Sequence, residues 1–213
     1  MLRSATLVGL GMGLLAGACS RPTPPPASIT VRSSGDTEVV RMNRIRVDGI
    51  IDANEWLRAD SVEVLLPDGR EITVLRQRGP DSIDFAFLGL GGNWSRQIYP
   101  EILMDVSGTN PAIFGRDSWW FRLTPEPCIK RLDVDGVCDV QLIGFEASPP
   151  PLDRRDNLEV RISLNLLEFS PLSVPEVAMS YRFAERPLIV DAIWPGTAEL
   201  RRPDTWAQVD ITN

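Results

Sequence analysis

The feature that most constrains this fold is a period of two. Leu158, Val160, Ile162 and Leu164 alternate with Glu159, Arg161, Ser163 and Asn165, which puts apolar side chains on one face of a strand and leaves the other face to water. The same alternation runs through Ile83, Phe85 and Phe87, through Ile102, Met104 and Val106, through Trp119, Phe121 and Leu123, and through Val177, Met179, Tyr181 and Phe183. Further candidate strands begin at Arg44, Ser61, Glu71, Asp139, Leu188 and Trp206, and Gly, Pro, Asn and Asp bound them. Helical periodicity is nearly absent; Leu166 to Phe169 is the lone candidate, about one turn. Roughly ten short strands with no helices between them predict an all-β antiparallel β-sandwich, jelly-roll-like, over a barrel or a parallel sheet.

The N-terminus has a different character. Arg3, the apolar run Leu7 to Leu15 and the small residues Ala16, Gly17 and Ala18 have the layout of a secretory signal. That run is shorter than the roughly 20 residues needed to span a membrane. The segment Leu14-Leu15-Ala16-Gly17-Ala18-Cys19 resembles the lipobox of bacterial lipoproteins, whose cysteine receives a diacylglycerol before the signal is cut. The resemblance implies a signal peptide over residues 1–18, a lipidated Cys19, and an exported chain held to the membrane of the cell envelope. Ser20 stands where an aspartate retains many lipoproteins at the inner membrane, so the expected location is the outer membrane. Residues 19–40, with three consecutive prolines and few large apolar side chains, read as a semi-extended linker, and the folded domain is expected over 41–213. Cys128 and Cys138, in an oxidising compartment, are expected to form a disulfide closing a small loop. The net charge of −7 argues against nucleic acid, whose phosphates demand clustered Lys and Arg. The single lysine, Lys130, is read as a matter of composition.

Five sets of residues, in order, carry a family resemblance. Val47-Asp48-Gly49-Ile50-Ile51-Asp52 with Glu55-Trp56 and Ala59 resembles the opening motif of carbohydrate-binding modules of family 9 and their DOMON-like relatives. Asp84-Phe85-Ala86-Phe87 and Pro100 to Asp105 resemble two of the family's strands. Leu158-Glu159-Val160-Arg161-Ile162 with Leu166-Leu167 resembles its late strand, and Trp194-Pro195 with Pro203 to Ala207 resembles its closing hairpin. Together they cover most of residues 44–212. The resemblance implies a β-sandwich that binds a polysaccharide or oligosaccharide without catalysis and commonly carries calcium.

Six tryptophans supply the faces on which sugar rings stack. Trp56 and Trp206 lie in the fold-signature motifs and are expected in the packing. Trp119 and Trp120 are adjacent, hence on opposite faces of one strand, so one of them faces the core. Trp94 sits in the turn-rich Gly91-Gly92-Asn93-Trp94-Ser95 and is the leading exposed platform. The expected carbohydrate site therefore comprises Trp94, Trp119 and Trp120 with Asn93, Glu101 and Arg122. For calcium, Asp48 and Asp52 lead, ahead of Asp133, Asp135 and Asp139 and of Asp105 and Asp117, with plain Asp-Gly turn chemistry as the alternative.

The chain contains no histidine, which removes Ser-His-Asp and Cys-His catalysis and most metal hydrolases. Haem is not expected either, because Met104 and Met179 fall in core-facing strand positions. Glu101 with Asp105 is a pair of acids of the type glycoside hydrolysis needs, yet the same pair suits a binding site, and no enzyme is expected. A second reading is an envelope lipoprotein that uses the sandwich to bind a protein partner. A glycan binder places its tryptophans beside Glu101, Arg122 or Asn93; an interaction module buries them or shows a flat apolar patch.

Overall fold

The computed structural model describes residues 45–91, 98–123, 128–131, 143–148, 156–168, 176–185 and 191–211. Among them the strands, numbered along the chain, are β1 (Asp60–Leu65), β2 (Glu71–Arg78), β3 (Ser82–Leu88), β4 (Ile98–Asp105), β5 (Ser118–Arg122), β6 (Cys128–Arg131), β7 (Phe145–Ala147), β8 (Leu158–Ser163), β9 (Glu176–Glu185), β10 (Asp191–Trp194) and β11 (Ala207–Asp210). They form two antiparallel sheets. The first has the order β1-β2-β3-β8-β7 and the second β10-β9-β4-β5-β6, with β11 also paired to β9. β10 pairs with Tyr181 to Ala184 of β9 and β11 with Glu176 to Met179, so the chain meets β9 through β10, crosses residues 195–206, and meets it again through β11.

Local chemistry explains the joints. Between β1 and β2, Leu66 N–H donates to the Arg70 carbonyl at 2.7 Å and Gly69 N–H to the Leu66 carbonyl at 2.9 Å. Gly69 takes φ +86°, a left-handed value that glycine reaches without a Cβ penalty.

The inward faces are those that the alternation marks. Ile72, Ile83, Phe85, Phe87 and Ile162 of the first sheet meet Ile102, Met104, Phe121, Met179 and Tyr181 of the second, all fully buried. Each contributes roughly 1.5–3 kcal/mol on leaving water. Aromatic rings meet edge to face across the gap: Phe85 and Phe87 lie 6.2 and 6.3 Å from Tyr181, and Phe87 lies 6.0 Å from Phe183.

The expectation of one dry face and one wet face fails on the central strands. Asp84 of β3, Glu101 and Asp105 of β4 and Glu159 of β8 sit on the outward faces and are buried all the same. The reason is that segments without strand structure cover both outer faces. Residues 45–59 lie over the first sheet, where Ile45 and Trp56 pack with Ala86, Leu75 and Leu88. Phe114, Ala198, Leu200 and Trp206 pack over the second, against Leu103 and Ala178. Carboxylates so enclosed must be paired, and these four are. Arg161 Nε donates to Asp84 Oδ1 at 2.7 Å, and its Nη2 to the Ile45 carbonyl at 2.6 Å.

Three smaller expectations also change. Residues 45–47 are not a strand; they belong to the covering segment. Leu164 to Glu168 form turns in place of a helical turn, with Glu168 at φ +52°. β6 was not signalled by alternation, since Cys128-Ile129-Lys130-Arg131 offers only a single pair of buried residues at its start. Cys128 is buried there; Cys138, its expected partner, lies outside the described residues.

Candidate functional site

Register decides which side chains share a face of the second sheet. In the β4–β5 pair, Glu101 stands opposite Arg122, Leu103 opposite Trp120 and Met104 opposite Trp119. Met104 is in the core, so Trp119 points inward with it and Trp120 points outward. Trp119 is 5% exposed and stacks on Phe121 with ring centroids 6.1 Å apart, while the Arg131 guanidinium lies 5.3 Å from the ring centre. A ring packed on this scale has no face open to a sugar, which corrects the expectation that Trp119 contacts a glycan. Trp94 and Asn93 lie outside the described residues.

Trp120 is half-buried, packs against the cluster of Leu103, Ala178 and Trp206, and lies among cations. The Lys130 ammonium stands 4.0 Å and the Arg122 guanidinium 4.7 Å from its ring centroid, contacts worth about 0.5–2 kcal/mol each depending on exposure. Its indole Nε1–H is enclosed and has no hydrogen-bond partner among the described residues.

Beside it, Glu101 is fully buried and holds two guanidinium groups. Arg122 Nε donates to Oε1 at 3.0 Å, and Arg182, brought by β9 to the other side of β4, donates from Nη1 to Oε2 at 2.9 Å. The Arg122 side chain is 37% exposed and that of Glu101 only 1%. A guanidinium edge, not the carboxylate, therefore reaches solvent, and Glu101 acts as the positioning group beneath it. Removing one member of such a buried arrangement costs about 3–5 kcal/mol, because the remaining charge is left enclosed.

Asp105, the other acid on this face of β4, is also committed. It accepts from Ser107 N–H at 3.1 Å and from the hydroxyls of Ser107 and Ser118. Neither acid presents a free oxygen pair to a glycosidic bond.

The opening motif does different work. Glu159, fully buried on the outer face of the first sheet, accepts from Gly49 N–H at 2.7 Å, Asp48 N–H at 3.0 Å and the Trp56 indole at 3.1 Å. Burial pushes the Glu159 carboxyl up from its ordinary value; the Gly49, Trp56 and Asp48 donors pull it down, and the Asp48 charge adds to the rise. Asp48 Oδ1 accepts Ile50 N–H at 2.8 Å, and Asp52 Oδ1 accepts Asn54 N–H at 2.8 Å and Asn54 Nδ2–H at 3.1 Å. Both carboxylates are thus used as turn acceptors within two residues of themselves. No group of three Asp, Glu, Cys or His able to hold a metal exists among the described residues. By themselves these two carboxylates supply fewer than the six to eight oxygens that calcium takes.

Sequence reasoning missed Arg182 and Lys130. Arg182 sits in the polar phase of β9 and meets Glu101 only through a pairing 81 residues apart; Lys130 meets Trp120 through β6, a strand too short to show alternation.

With this geometry in hand, likeness to solved structures is informative. A family 9 carbohydrate-binding module from Caldicellulosiruptor kristjanssonii in complex with cellotriose superposes with a TM-score of 0.60 at 12% identity, covering 79% of this chain and 89% of that one. The fold is family 9-like. A family 9 module from the same organism in complex with glucose gives a TM-score of 0.59 at 12% identity, over 79% of this chain and 91% of that one. No protein-family model and no curated protein matches the sequence. The family 9-like fold accounts for the motifs of residues 44–212 as architecture. Trp56 at 6% exposure and Trp206 at 4% are parts of its packing, as their place in those motifs implies.

Proposed function

We propose that this protein is a non-catalytic carbohydrate-binding module whose glycan lies against Trp120 and the exposed edge of Arg122. The observation that carries the reading is the array on the outer face of the second sheet. A half-buried indole stands beside a guanidinium that a buried carboxylate holds in place. Sugars are bound by that combination, an aromatic face for ring carbons and fixed donors for hydroxyls. Support also comes from the two family 9 modules of like fold, described in complex with cellotriose and with glucose. The commitment of Glu101 and Asp105 to internal partners, together with the lack of histidine, favours binding over hydrolysis.

The reading includes delivery. Cys19 carries the lipid, residues 19–40 act as the tether, and the module faces its glycan from the outer membrane of the cell envelope, with the Cys128–Cys138 disulfide formed after export. Metabolic labelling with a fatty acid tests this part: wild-type chain takes up label and Cys19→Ala does not.

The binding test is tryptophan fluorescence titrated with neutral oligosaccharides. A saturable shift is expected, lost in Trp120→Ala and retained in Trp206→Phe. A flat response across the panel moves the assignment to a protein partner in the envelope.

A further inference from the structure

Apart from the Trp120 face, a polar cavity of about 280 Å³ opens at one end of the sandwich, where β2 and β11 finish. We propose that this cavity binds a small hydroxylated carboxylate, such as a single uronic acid unit, independently of the Trp120 site. Its size lies near the lower end of ligand pockets, which suits one sugar unit.

The cavity exists because β2 changes character along its length. Ile72 and Val74 point into the core at 0% and 1% exposure, and the same alternation then carries Arg76 and Arg78 inward in place of apolar side chains. Arg58 joins them from the covering segment, so three arginines line a space that holds two aspartates, Asp60 and Asp210. Among the lining residues the arginines thus outnumber the aspartates by one, in a chain of net charge −7.

The groups are not equivalent. Arg76 Nη2 bonds Asp60 Oδ2 at 2.5 Å, with the Arg76 side chain 12% and Asp60 71% exposed. Arg78 donates to carbonyls, Nη1 to Ser82 at 2.8 Å and Nη2 to Pro80 at 3.2 Å, which orient the guanidinium without neutralising it. Burial lowers the Arg78 pKa from its ordinary value, against the pull of Asp81 and Asp84. A partly desolvated cation of this kind gains from an anion placed beside it.

The wall is already fixed. Gln77 accepts Arg58 N–H at 3.3 Å and donates to the Glu55 carbonyl at 3.1 Å, tying the covering segment to β2, so little ordering is left for the ligand to supply. A guanidinium matches a carboxylate in bidentate fashion. Asp60 and Asp210 disfavour a phosphate dianion, and the Asp60 carboxylate, 71% exposed, accepts hydrogen bonds from hydroxyls. A monoanion with hydroxyls satisfies all of these at once.

Titration calorimetry on the full chain with sodium glucuronate, glucose and inorganic phosphate tests the assignment. Saturable glucuronate binding is expected, with glucose and phosphate at least roughly tenfold weaker and with a loss of roughly tenfold in Arg58→Ala and in Arg78→Gln. Arg58 is exposed, so its replacement leaves folding intact. Trp120→Ala should bind glucuronate as wild type does, which separates this site from the neutral-glycan face. Absence of saturable glucuronate binding, equal binding of glucose or phosphate, or unchanged binding in both arginine variants would overturn the proposal. So would a loss confined to Trp120→Ala.

Discussion

Both outer faces of this sandwich enclose carboxylates, and Glu159 on the first and Glu101 on the second are used differently. On the first sheet Glu159 gives its oxygens to the backbone N–H groups of Asp48 and Gly49 and to the Trp56 indole, so it ties down the segment that covers it. On the second sheet Glu101 gives its oxygens to Arg122 and Arg182, and one of those guanidinium groups extends to solvent. The first arrangement is closed: every donor belongs to the cover itself. The second is open, because what it orients is a donor available to something outside. Burial of an acid thus does not by itself mark a site; the exposure of its partners does.

This contrast can be broken in several ways, beginning with the largest effect. Trp56→Ala and Trp206→Ala remove the side chains that hold the two covers, and each is expected to cost about 3–5 kcal/mol in denaturant-induced unfolding. Trp206 also loses its indole bond to the Glu199 carbonyl at 2.9 Å. Trp120→Ala, at a half-buried position, loses its cation contacts and its packing on the Trp206 cluster and is expected to cost about 1–2 kcal/mol. An equal loss there would make Trp120 another cover residue and end the distinction.

Next comes the pair of acids. Glu101→Gln leaves two arginines around a neutral group and is expected to cost roughly 3 kcal/mol and to blunt the response to oligosaccharide. Glu159→Gln turns an amide donor toward the N–H groups of Asp48 and Gly49 and is expected to cost roughly 1–3 kcal/mol, with the sugar response of the folded protein unchanged. If Glu159→Gln also abolished that response, the two faces would be coupled.

The smallest effect lies in the shared core between the faces and sharpens the picture of what is dry. Tyr181 Oη donates to Met179 Sδ at 3.3 Å, and burial pushes its hydroxyl up to about 12. A folded value above the unfolded value of about 10 means that the neutral phenol favours the fold fully below pH 10. That contribution is lost as the pH rises toward 12. Thermal unfolding followed between pH 8 and 11 should therefore fall more steeply for wild type than for Tyr181→Phe.

Much of the architecture was legible in the chain. The alternation of Ile83, Phe85 and Phe87, or of Val177, Met179, Tyr181 and Phe183, is a local signal, and the sandwich follows once those faces must meet. The opening motif was legible as a motif but not as chemistry. Asp48 and Asp52 read as calcium ligands or as turn acceptors, and the hydrogen bonds within their own turns are seen only in the structure. The adjacency of Trp119 and Trp120 told that one faced inward, while only the pairing with Met104 told which. Lys130, dismissed from composition, and Arg182, never singled out, entered the site through strand neighbours distant in sequence.

By itself, then, the sequence determined the strand periodicity, the two-layer class and the residues of the inner faces, because a period of two is written in consecutive residues and burial of that face is the dominant stabilising term. Tertiary structure decided the polar chemistry of the outer faces. Which polar residues are enclosed, which arginine meets Glu101 and which tryptophan meets solvent depend on where non-strand segments fall and which strands become neighbours. Those are contacts between distant parts of the chain, and no local pattern encodes them.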